Sequence, residues 1–423
     1  MSNVFDELSW RGMVYDATEG VRDLFAQSGV TAYIGFDPTA SSLHVGSLLP
    51  VMALARLQRA GHRPMAIVGG GTGMIGDPSG KSQERTLLSG QQLEENLAGI
   101  RCQLERFLDV GGPSPAQIVN NADWLASIDL LSFLRDAGKH FTVNYMLQKE
   151  SVNRRLESEE GISFTEFSYL LLQAYDFLQL FDRYGCVLQM GGSDQWGNIT
   201  AGIDLIRKMR TGKAHGLVMP LVTTAAGVKF GKTEAGAVWL DAQRTSPFKF
   251  YQFWLNADDR DVVSHLKFFT FLDRPCIDAL AETTATSPAQ REAQRVLARE
   301  VTSLVHGTEQ AARAERASTL LFAEDLTAVS VDDVAALFRD VPSMDMSSLA
   351  FDGEGLSLVD LVAHVSLASS KSEARRLVQS GGVYVNNRKI ADVQHRVTVS
   401  QAIEGRLLVL RKGAKQNYLI RIT

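Results

Sequence analysis

The chain has 423 residues, of which 45% are hydrophobic and 22% charged, an ordinary composition for a globular protein of two or three domains. No run approaches the roughly 18 consecutive apolar residues of a membrane span, and the N-terminus lacks the basic and apolar regions of a signal peptide. We therefore expect a cytoplasmic protein with no membrane partner.

The cysteines and the distribution of charge indicate which kinds of site and partner this protein has. Cys102, Cys186 and Cys276 are odd in number and follow no metal-ligand spacing, so neither a disulfide framework nor a zinc site is expected. The net charge of −5 conceals an asymmetry, because residues 371–423 contain eleven Lys or Arg against three acidic residues. This segment carries +8 and the rest of the chain −13, which indicates a polyanionic partner. Nucleic acid is favoured over a solvated basic face, because the charges interleave with a compact fold pattern.

The stretch from Tyr33 to Ser47 joins a predicted strand, Thr31 to Phe36, to a helix over about 44–60. A polar turn there presents backbone N–H groups and the positive end of a helix dipole, which favours phosphate. Gly46 has no Cβ to keep a ligand away, and His44 can donate to a phosphate oxygen. Taken alone, such residues more often cap and pack a helix. Pro50 is expected to distort this helix.

Alternating strand and helix patterns continue to residue 221. Further strands are predicted at Pro64–Gly69, Gln117–Asn120, Cys186–Met190 and Gly216–Leu221, and helices at Gln91–Asp109, Ser127–Lys139, Phe164–Phe181 and Asp194–Met209. This alternation predicts an α/β fold with a Rossmann-like, doubly wound parallel sheet. Ligands of such sheets bind beyond the strand carboxyl ends where strand order reverses, and the turns at Tyr33–Ser47 and Gly191–Asp194 lie at such ends.

The rest of the chain lacks this alternation. Residues 246–323 predict an α-helical domain, residues 324–353 a linker, and residues 354–423 a small α+β module. The module's predicted helices are Leu358–Val365 and Lys371–Gln379, and its strands are Val383–Val385, Leu407–Leu410 and Tyr418–Ile422.

Two glycine motifs do not support the functions they suggest. Gly71 to Gly76 matches a dinucleotide fingerprint, but Pro78 and Gly80 follow at once, so no helix opens there. A P-loop ending at Lys81 would need glycine at Ile75. Both motifs form a Gly-rich segment that still can cover a ligand with Asp77, Lys81 and Arg85.

Tyr169, Gln173 and Asp176 share one face of an otherwise apolar predicted helix, since they are spaced i, i+4 and i+7. Buried polar groups are costly unless they are paired. The stripe therefore indicates either the wall of a pocket for a small polar ligand or an internal hydrogen-bond network, and the helix alone does not distinguish them.

Two further polar segments follow. Gly191-Gly192-Ser193-Asp194-Gln195-Trp196 connects a strand to a helix, where Asp194 fits either an N-cap or a ribose contact. Lys229-Phe230-Gly231-Lys232-Thr233 is typical of a solvated hairpin tip or of a mobile cationic loop that closes on phosphates.

Together these motifs resemble the class I aminoacyl-tRNA synthetases, and within them the bacterial-type tyrosyl-tRNA synthetases. Asp37-Pro38-Thr39 leading to His44-Val45-Gly46-Ser47 is similar to the first class signature, His-Ile-Gly-His, with Ser47 in place of the second His. Residues 229–233 are similar to the second, Lys-Met-Ser-Lys-Ser. Residues 191–198 resemble the family's nucleotide side, and residues 356–390 its S4-type RNA-binding module. The resemblance covers nearly the whole chain.

The resemblance implies a tyrosine--tRNA ligase that joins tyrosine to ATP as tyrosyl-adenylate and then charges tRNA(Tyr). The residues that would act on the phosphates are Thr39, His44, Lys81, Arg85, Lys229, Lys232 and Thr233. Tyrosine would be held at its phenol by Tyr33 and Asp176 and at its ammonium group by Asp77, Tyr169 and Gln173. ATP would contact Gly35, Asp37, His44, Gly46, Ser47, Gly192, Asp194, Gln195 and Lys232.

The resemblance also implies partners and a domain arrangement. Mg²⁺ would arrive with ATP, with no protein-bound metal or organic cofactor. RNA contacts would come from Lys371, Arg375, Arg376, Arg388 and Lys389. Residues 1–222 would form the catalytic domain, with a dimerisation insertion near 122–162, and residues 223–245 the second-signature loop and its connection. The interface of the homodimer would involve the Trp124–Phe164 region. There Phe141, Tyr145 and Phe164 are apolar candidates that core burial explains equally well.

Three other functions are compatible with part of the pattern. A tryptophanyl-tRNA synthetase shares the fold and signatures, but the S4-like module and the pairing of Tyr33 with Asp176 favour tyrosine. An RNA-binding regulator without catalysis is disfavoured by His44, Lys229 and Lys232. The failed fingerprint disfavours a dehydrogenase.

Overall fold

The computed structural model describes residues 3–79, 88–112, 114–157, 161–225, 227, 230–233, 236–321, 326–327, 330–331, 334–335, 341–413 and 416–423. The chain divides into two compact units, Met1–Ser246 with Phe253–His306, and Pro247–Gln252 with Gly307–Thr423. Among the described residues, no helix combines the length and apolar character needed to cross a membrane.

A six-stranded sheet in the order β1-β6-β5-β2-β3-β4 lies at the centre of the first unit. Its strands are β1 (Asp16–Ala17), β2 (Thr31–Phe36), β3 (Arg63–Val68), β4 (Gln117–Asn120), β5 (Leu188–Gly192) and β6 (His215–Met219). Strands β2 to β6 pair in parallel, and β1 is antiparallel to β6. The chain builds β3 and β4 on one side of β2 and then β5 and β6 on the other. Strand order therefore reverses between β2 and β5.

The helices between residues 4 and 210 connect and cover these strands. They are α1 (Val4–Trp10), α2 (Val21–Leu24), α3 (Leu48–Arg59), α4 (Gly90–Phe107), α5 (Ala122–Leu125), α6 (Leu130–Asp136), α7 (Val143–Leu147), α8 (Glu150–Leu156), α9 (Phe164–Tyr184) and α10 (Trp196–Arg210). The predicted α/β class with a parallel sheet is confirmed. The long helix predicted over 127–139 is instead the shorter α6, because Asp129 caps it by accepting from the Ser132 N–H.

Pro50 fits the start of α3 and does not break it, contrary to expectation. A 3₁₀ turn over Val45–Ser47 precedes the helix, which begins at Leu48. Pro50 therefore lies in the first turn, where a backbone N–H has no partner within the helix.

A helical region follows β6, as predicted. A short hairpin of β7 (Lys232–Thr233) and β8 (Gly236–Ala237) precedes it. Its helices are α11 (Pro247–Leu255), α12 (Asp259–Phe269), α13 (Arg274–Thr286), α14 (Glu292–His306) and α15 (Thr308–Leu321).

The second unit contains a five-stranded sheet in the order β12-β11-β14-β15-β9. The remaining elements are β9 (Ser343–Met346), β10 (Leu356–Ser357), α16 (Leu358–His364), α17 (Lys371–Gln379), β11 (Val383–Val385), β12 (Arg388–Ile390), β13 (Arg396–Val397), β14 (Leu407–Lys412) and β15 (Gln416–Ile422). One face of this sheet packs on the two helices around buried Leu361, Val378 and Leu410. The C-terminal α+β prediction is confirmed.

Strand β9 lies within the range that the sequence pattern assigned to a linker. Ser343–Met346 pairs in parallel with β15, and Phe351 is buried in the same core. The linker interpretation therefore does not hold for these residues. The pattern missed the strand because Ser-Met-Asp-Met is short and lacks β-branched residues, and parallel pairing with the last strand of the chain supplies the hydrogen bonds.

Candidate active site

A cavity of about 360 Å³ lies at the carboxyl ends of β2 and β5, where strand order reverses. It is lined by residues that the sequence singled out, namely Tyr33, Gly35, Asp37, Thr39, His44, Gly46, Ser47, Asp77, Tyr169, Gln173, Asp176, Gly192, Asp194 and Gln195. Tyr33 and Asp176 are buried, whereas Thr39 and Asp194 are exposed, so we distinguish a buried end and an exposed end.

The structure does not describe all of the basic residues that were predicted to bind phosphate. Lys81, Arg85 and Lys229 lie outside the described residues. The structure places the backbone of Lys232 and Thr233 in β7. Among the described residues, no group of three or more His, Cys, Asp or Glu side chains is arranged to hold a metal ion. The expectation of no protein-bound metal stays a prediction.

Asp176 is the central polar group of the buried end, with a side chain only 3% exposed. Its Oδ1 accepts from Trp124 Nε1 over 2.7 Å, and its Oδ2 accepts from Asn121 Nδ2 over 2.9 Å. Burial raises the pKa of Asp176 to about 7, although both hydrogen bonds act in the opposite direction. The carboxyl group is thus held rigidly and titrates near neutrality.

Tyr33 supplies the second polar group of the buried end. Its ring packs edge-on against Phe177, with centroids 5.3 Å apart, and burial raises the pKa of its hydroxyl well above the usual value. This hydroxyl has no hydrogen-bond partner among the described residues. Since buried hydroxyls are normally paired, the atom is available to a ligand that brings its own polar group.

Sequence reasoning missed three residues of the buried end. Asn121 and Trp124 hold Asp176, although Trp124 was expected at an interface. Gln189 on β5 lies opposite Tyr33 in the strand register, is 2% exposed, and its Oε1 lacks a partner within the described residues. A polar residue in the middle of a buried parallel strand was a usable signal for Gln189.

Hydrogen bonds from Asn121 to Asp176 and Thr72, and from Thr72 to Asp37, join the buried end to the exposed end. Tyr169 donates its hydroxyl to Asp37 Oδ2 over 2.9 Å. Gln195 Nε2 donates to Asp77 Oδ2 over 2.8 Å. Asn198 Nδ2 donates to Gln173 Oε1 over 2.9 Å. Asp37 and Gln195, which the resemblance assigned to ATP, therefore contact Tyr169 and Asp77, which it assigned to tyrosine.

His44 and Gly46 form the start of the 3₁₀ turn at the exposed end. His44 Nδ1 accepts from the Gly46 N–H over 3.0 Å, so the capping interpretation holds. In a neutral ring this bond leaves the proton on Nε2, which can donate to an anion. A Cβ on Gly46 would lie 2.7 Å from His44 Cε1, so glycine is needed for this arrangement.

Asp194 lies in a 3₁₀ turn over Ser193–Gln195 that follows β5. The α-helix begins at Trp196, with Gln195 as its N-cap residue, so Asp194 is not the α-helix cap that its position suggested. Gly192 allows the turn to pass close, because a Cβ there would lie 2.6 Å from Asp194 Oδ1.

The residues predicted to bind RNA lie on the surface of the second unit. Lys371, Arg375, Arg376, Arg388 and Lys389 are all exposed. Lys371 Nζ pairs with Asp360 Oδ1 over 2.7 Å. The opposite face of α17 is buried through Ala374 and Val378, so this helix presents a basic side to solvent.

Comparison with known proteins agrees with this geometry. Residues 26–323 match the model for tRNA synthetases class I (W and Y), and residues 333–420 match the model for the Tyrosine--tRNA ligase SYY-like C-terminal domain. The chain is 56% identical to the tyrosine--tRNA ligase of Roseiflexus castenholzii over 100% of both chains. It is 50% identical to tyrosine--tRNA ligase 1 of Bacillus subtilis over 99% of both chains.

Solved structures of tRNA synthetases are also similar to this chain. A C-terminally truncated mitochondrial tyrosyl-tRNA synthetase of Aspergillus nidulans aligns with a TM-score of 0.69 and 33% identity, covering 76% of this chain and 95% of that chain. A tryptophanyl-tRNA synthetase of Encephalitozoon cuniculi aligns with a TM-score of 0.53 and 15% identity, covering 78% of this chain and 90% of that chain. The second likeness is one of fold alone.

Proposed function

The chain belongs to the class I tRNA synthetases for tryptophan and tyrosine and is a tyrosine--tRNA ligase, and on this basis we propose that tyrosine occupies the buried end of the cavity and ATP the exposed end. The unpartnered hydroxyl of Tyr33 beside the doubly held carboxyl of Asp176 carries this proposal.

The phenol of tyrosine pairs with Tyr33 and Asp176. A phenol hydroxyl both donates and accepts one hydrogen bond, and these two groups offer an acceptor and a donor. Phenylalanine would leave both buried groups without this pairing, which costs more than the loss of favourable contact alone.

The ammonium group of tyrosine lies against Asp77, Tyr169 and Gln173. In support, all three side chains line the same cavity, and Gln195 links Gln173 to Asp77 through hydrogen bonds. Asp37 stabilises this set by accepting from Tyr169.

The first step joins the tyrosine carboxylate to the α-phosphorus of ATP. A carboxylate oxygen attacks, the bond from the α-phosphorus to the bridging oxygen breaks, and pyrophosphate leaves with that oxygen. The carboxylate is already a nucleophile, so no general base is required. Catalysis therefore rests on positioning and on stabilisation of phosphate charge.

The residues proposed to act on the phosphates are Thr39, His44, Lys81, Arg85, Lys229, Lys232 and Thr233. Nucleotide contacts are proposed for Gly35, Gly46, Ser47, Gly192, Asp194 and Gln195, which the cavity lining supports. Mg²⁺ enters as part of the ATP substrate, bound through phosphate oxygens as is usual for this ion. A hydroxyl of the 3′-terminal ribose of tRNA(Tyr) then attacks the tyrosyl carbonyl carbon, the bond from that carbon to the phosphate oxygen breaks, and AMP and the hydroxyl proton leave.

The C-terminal module is proposed to be an S4-like tRNA-binding element. Its support is the exposed basic side of α17, with Arg375 and Arg376, and the excess of Lys and Arg in residues 371–423. Counter-ions released from tRNA phosphates favour such a surface.

A homodimer is proposed through the region near residues 122–162. The support is a set of exposed apolar side chains, including Leu131 at 77% and Phe164 at 79% exposure. Exposed apolar surface of this kind is typical of a protein–protein interface. Trp124 is not part of this surface, because it is buried against Asp176. Sedimentation of wild type against Leu131→Glu tests this: the variant should be monomeric, and unchanged mass would contradict the interface.

Tyrosine-dependent ATP–pyrophosphate exchange tests the site. Asp176→Ala should abolish exchange, while circular dichroism shows an intact fold. A variant as active as wild type would overturn the pocket assignment. Wild type should support exchange with tyrosine and not with tryptophan.

A further inference from the structure

Phe230, in the centre of the second signature, is buried in a cage of aromatic rings. Its ring stacks on Phe269 with centroids 5.4 Å apart and an interplanar angle of 10°. His265 lies 4.8 Å away, Phe253 5.4 Å and Trp254 5.6 Å. The rings of His265 and Phe269 belong to α12, so this helix holds the segment that carries the signature lysines.

The backbone beside Phe230 packs directly on the first signature. Gly231 adopts a φ of +80°, and a Cβ there would lie 2.6 Å from Val45 Cγ2. The Gly231 carbonyl accepts from the Val238 N–H over 3.1 Å, and the Val238 carbonyl accepts from the Val45 N–H over 3.0 Å. Phe230 thus stands between the aromatic cage and the Val45–Gly46 turn.

A buried arginine ties the same helix to the first signature from the other side. Arg56 belongs to α3, the helix that the first signature opens. Its guanidinium donates to the carbonyls of Lys267 and Phe268, each over 3.1 Å, at the C-terminal end of α12. These carbonyls have no partner within the helix, so the bonds fix α12 relative to α3.

These contacts form a closed ring. The first signature leads through α3 and Arg56 to α12, from α12 through the aromatic cage to Phe230, and from Phe230 and Gly231 back to Val45. A displacement of one of the side chains that make these links is passed on to the others, because protein interiors have low compressibility.

We propose that Phe230 is a positioning residue for adenylate formation: its ring, seated among Phe253, Trp254, His265 and Phe269, sets the distance between the two signatures at which Lys232 acts on the phosphates. This inference rests on the proposed role of Lys232. It assigns no contact between Phe230 and either substrate.

The consequence is a split between binding and rate. Emptying the cage in Phe230→Ala lets the second signature shift relative to the first, and misplacement of a catalytic group by about 1 Å costs roughly ten- to a hundredfold in rate. Tyrosine binds at the buried end, so its dissociation constant should not change. Phe230→Leu retains much of the apolar volume and should recover part of the rate.

A double-mutant cycle separates positioning from general destabilisation. The exchange rate is measured for Phe230→Ala, Lys232→Ala and the double variant, with tyrosine affinity from equilibrium dialysis. If Phe230 acts by placing Lys232, the loss from Phe230→Ala should largely disappear once Lys232 is alanine. Val262→Ala, a buried change elsewhere on α12, serves as the matched control and should lower the melting temperature without the loss of rate.

Three results would count against the proposal. If the losses in exchange rate from Phe230→Ala and Lys232→Ala are additive, Phe230 does not act by placing Lys232, and the role of Lys232 is unaffected. A rate loss in Val262→Ala as large as that in Phe230→Ala would assign the effect to destabilisation. Failure of the proposed function differs from both, because Lys232→Ala by itself would then leave exchange unchanged. If Phe230→Ala does not fold, the same cycle with Phe230→Leu gives the decision.

Discussion

The indole N–H of Trp124 donates to Oδ1 of Asp176 over 2.7 Å at the buried end of the cavity. Asn121 holds the other carboxylate oxygen, so Asp176 cannot rotate to follow a ligand that lacks a hydroxyl. The pair comes from two helices that are distant in sequence, and it fixes the group on which recognition of the phenol depends. Burial, opposed by these two bonds, leaves the pKa of Asp176 at about 7.

Trp124→Phe should move the pH dependence of tyrosine activation. The lost hydrogen bond stabilised the carboxylate, so the pKa of Asp176 rises and the acidic limb of kcat/KM for tyrosine shifts to higher pH. The profile is measured by pyrophosphate exchange. Trp10→Phe, a change outside the cavity, should leave it in place, and an unmoved profile in Trp124→Phe would contradict the assigned role.

Asp176 also makes stability depend on pH. Its pKa in the folded protein, about 7, lies above the usual 3.8 of an aspartate side chain, so the folded state holds the proton more tightly. The stabilisation is therefore fully present below the unfolded pKa and is lost as pH rises through the folded pKa. Asp176→Asn should flatten the decline of the urea midpoint between these two values. An equal slope in wild type and variant would argue against the raised pKa.

Tyr33→Phe and Tyr169→Phe should differ in their effect on the stability of the unliganded protein. The hydroxyl of Tyr33 has no partner among the described residues, so its removal should not lower the melting temperature, while KM for tyrosine rises about five- to tenfold. Tyr169→Phe removes a bond to Asp37 and should destabilise the unliganded protein by about 1 kcal/mol. Thermal unfolding and exchange kinetics are measured together. A destabilised Tyr33→Phe would show that the hydroxyl is already paired.

Gly46→Ala should impair use of ATP without unfolding the protein. The new methyl group would lie within 2.9 Å of His44 Nδ1 and would push the imidazole from its present position. We expect a loss in kcat of roughly tenfold with tyrosine affinity retained. Gly90→Ala, where nothing lies within 4 Å of the new Cβ, is the control. Unchanged kcat in Gly46→Ala would exclude a phosphate role for this turn.

Arg375→Glu combined with Arg376→Glu should impair tRNA charging and spare adenylate formation. Both side chains are exposed, so the fold should persist, and reversal of these two charges should weaken charging about tenfold or more at low salt. This test is cleaner than truncation near Gly353, which would remove β15 from β9 and expose the core around Phe351. Normal charging by the variant would show that α17 is not part of the surface that binds tRNA.

The sequence by itself determined the local elements and the chemistry they carry. Strand β2, the two signatures and the stripe of Tyr169, Gln173 and Asp176 follow from features within a few residues of one another. Helix period, apolar runs and turn residues are properties of short segments, so they can be recognised in the local sequence pattern. These local features indicated an anion-binding turn and a basic C-terminal module, and their resemblance to the class I synthetases implied the ATP chemistry and the tyrosine pocket.

Only the tertiary structure decided which groups hold those residues in place. Trp124 and Asn121 reach Asp176 across 52 and 55 positions of the chain, and Gln189 faces Tyr33 through the register of two strands. Strand β9 exists because β15 lies beside it, and Phe230 is buried because His265 and Phe269 of α12 pack on its ring. Each depends on the distance between segments remote in sequence. No local pattern encodes that distance, because it is set by how the buried faces of whole helices and strands pack together.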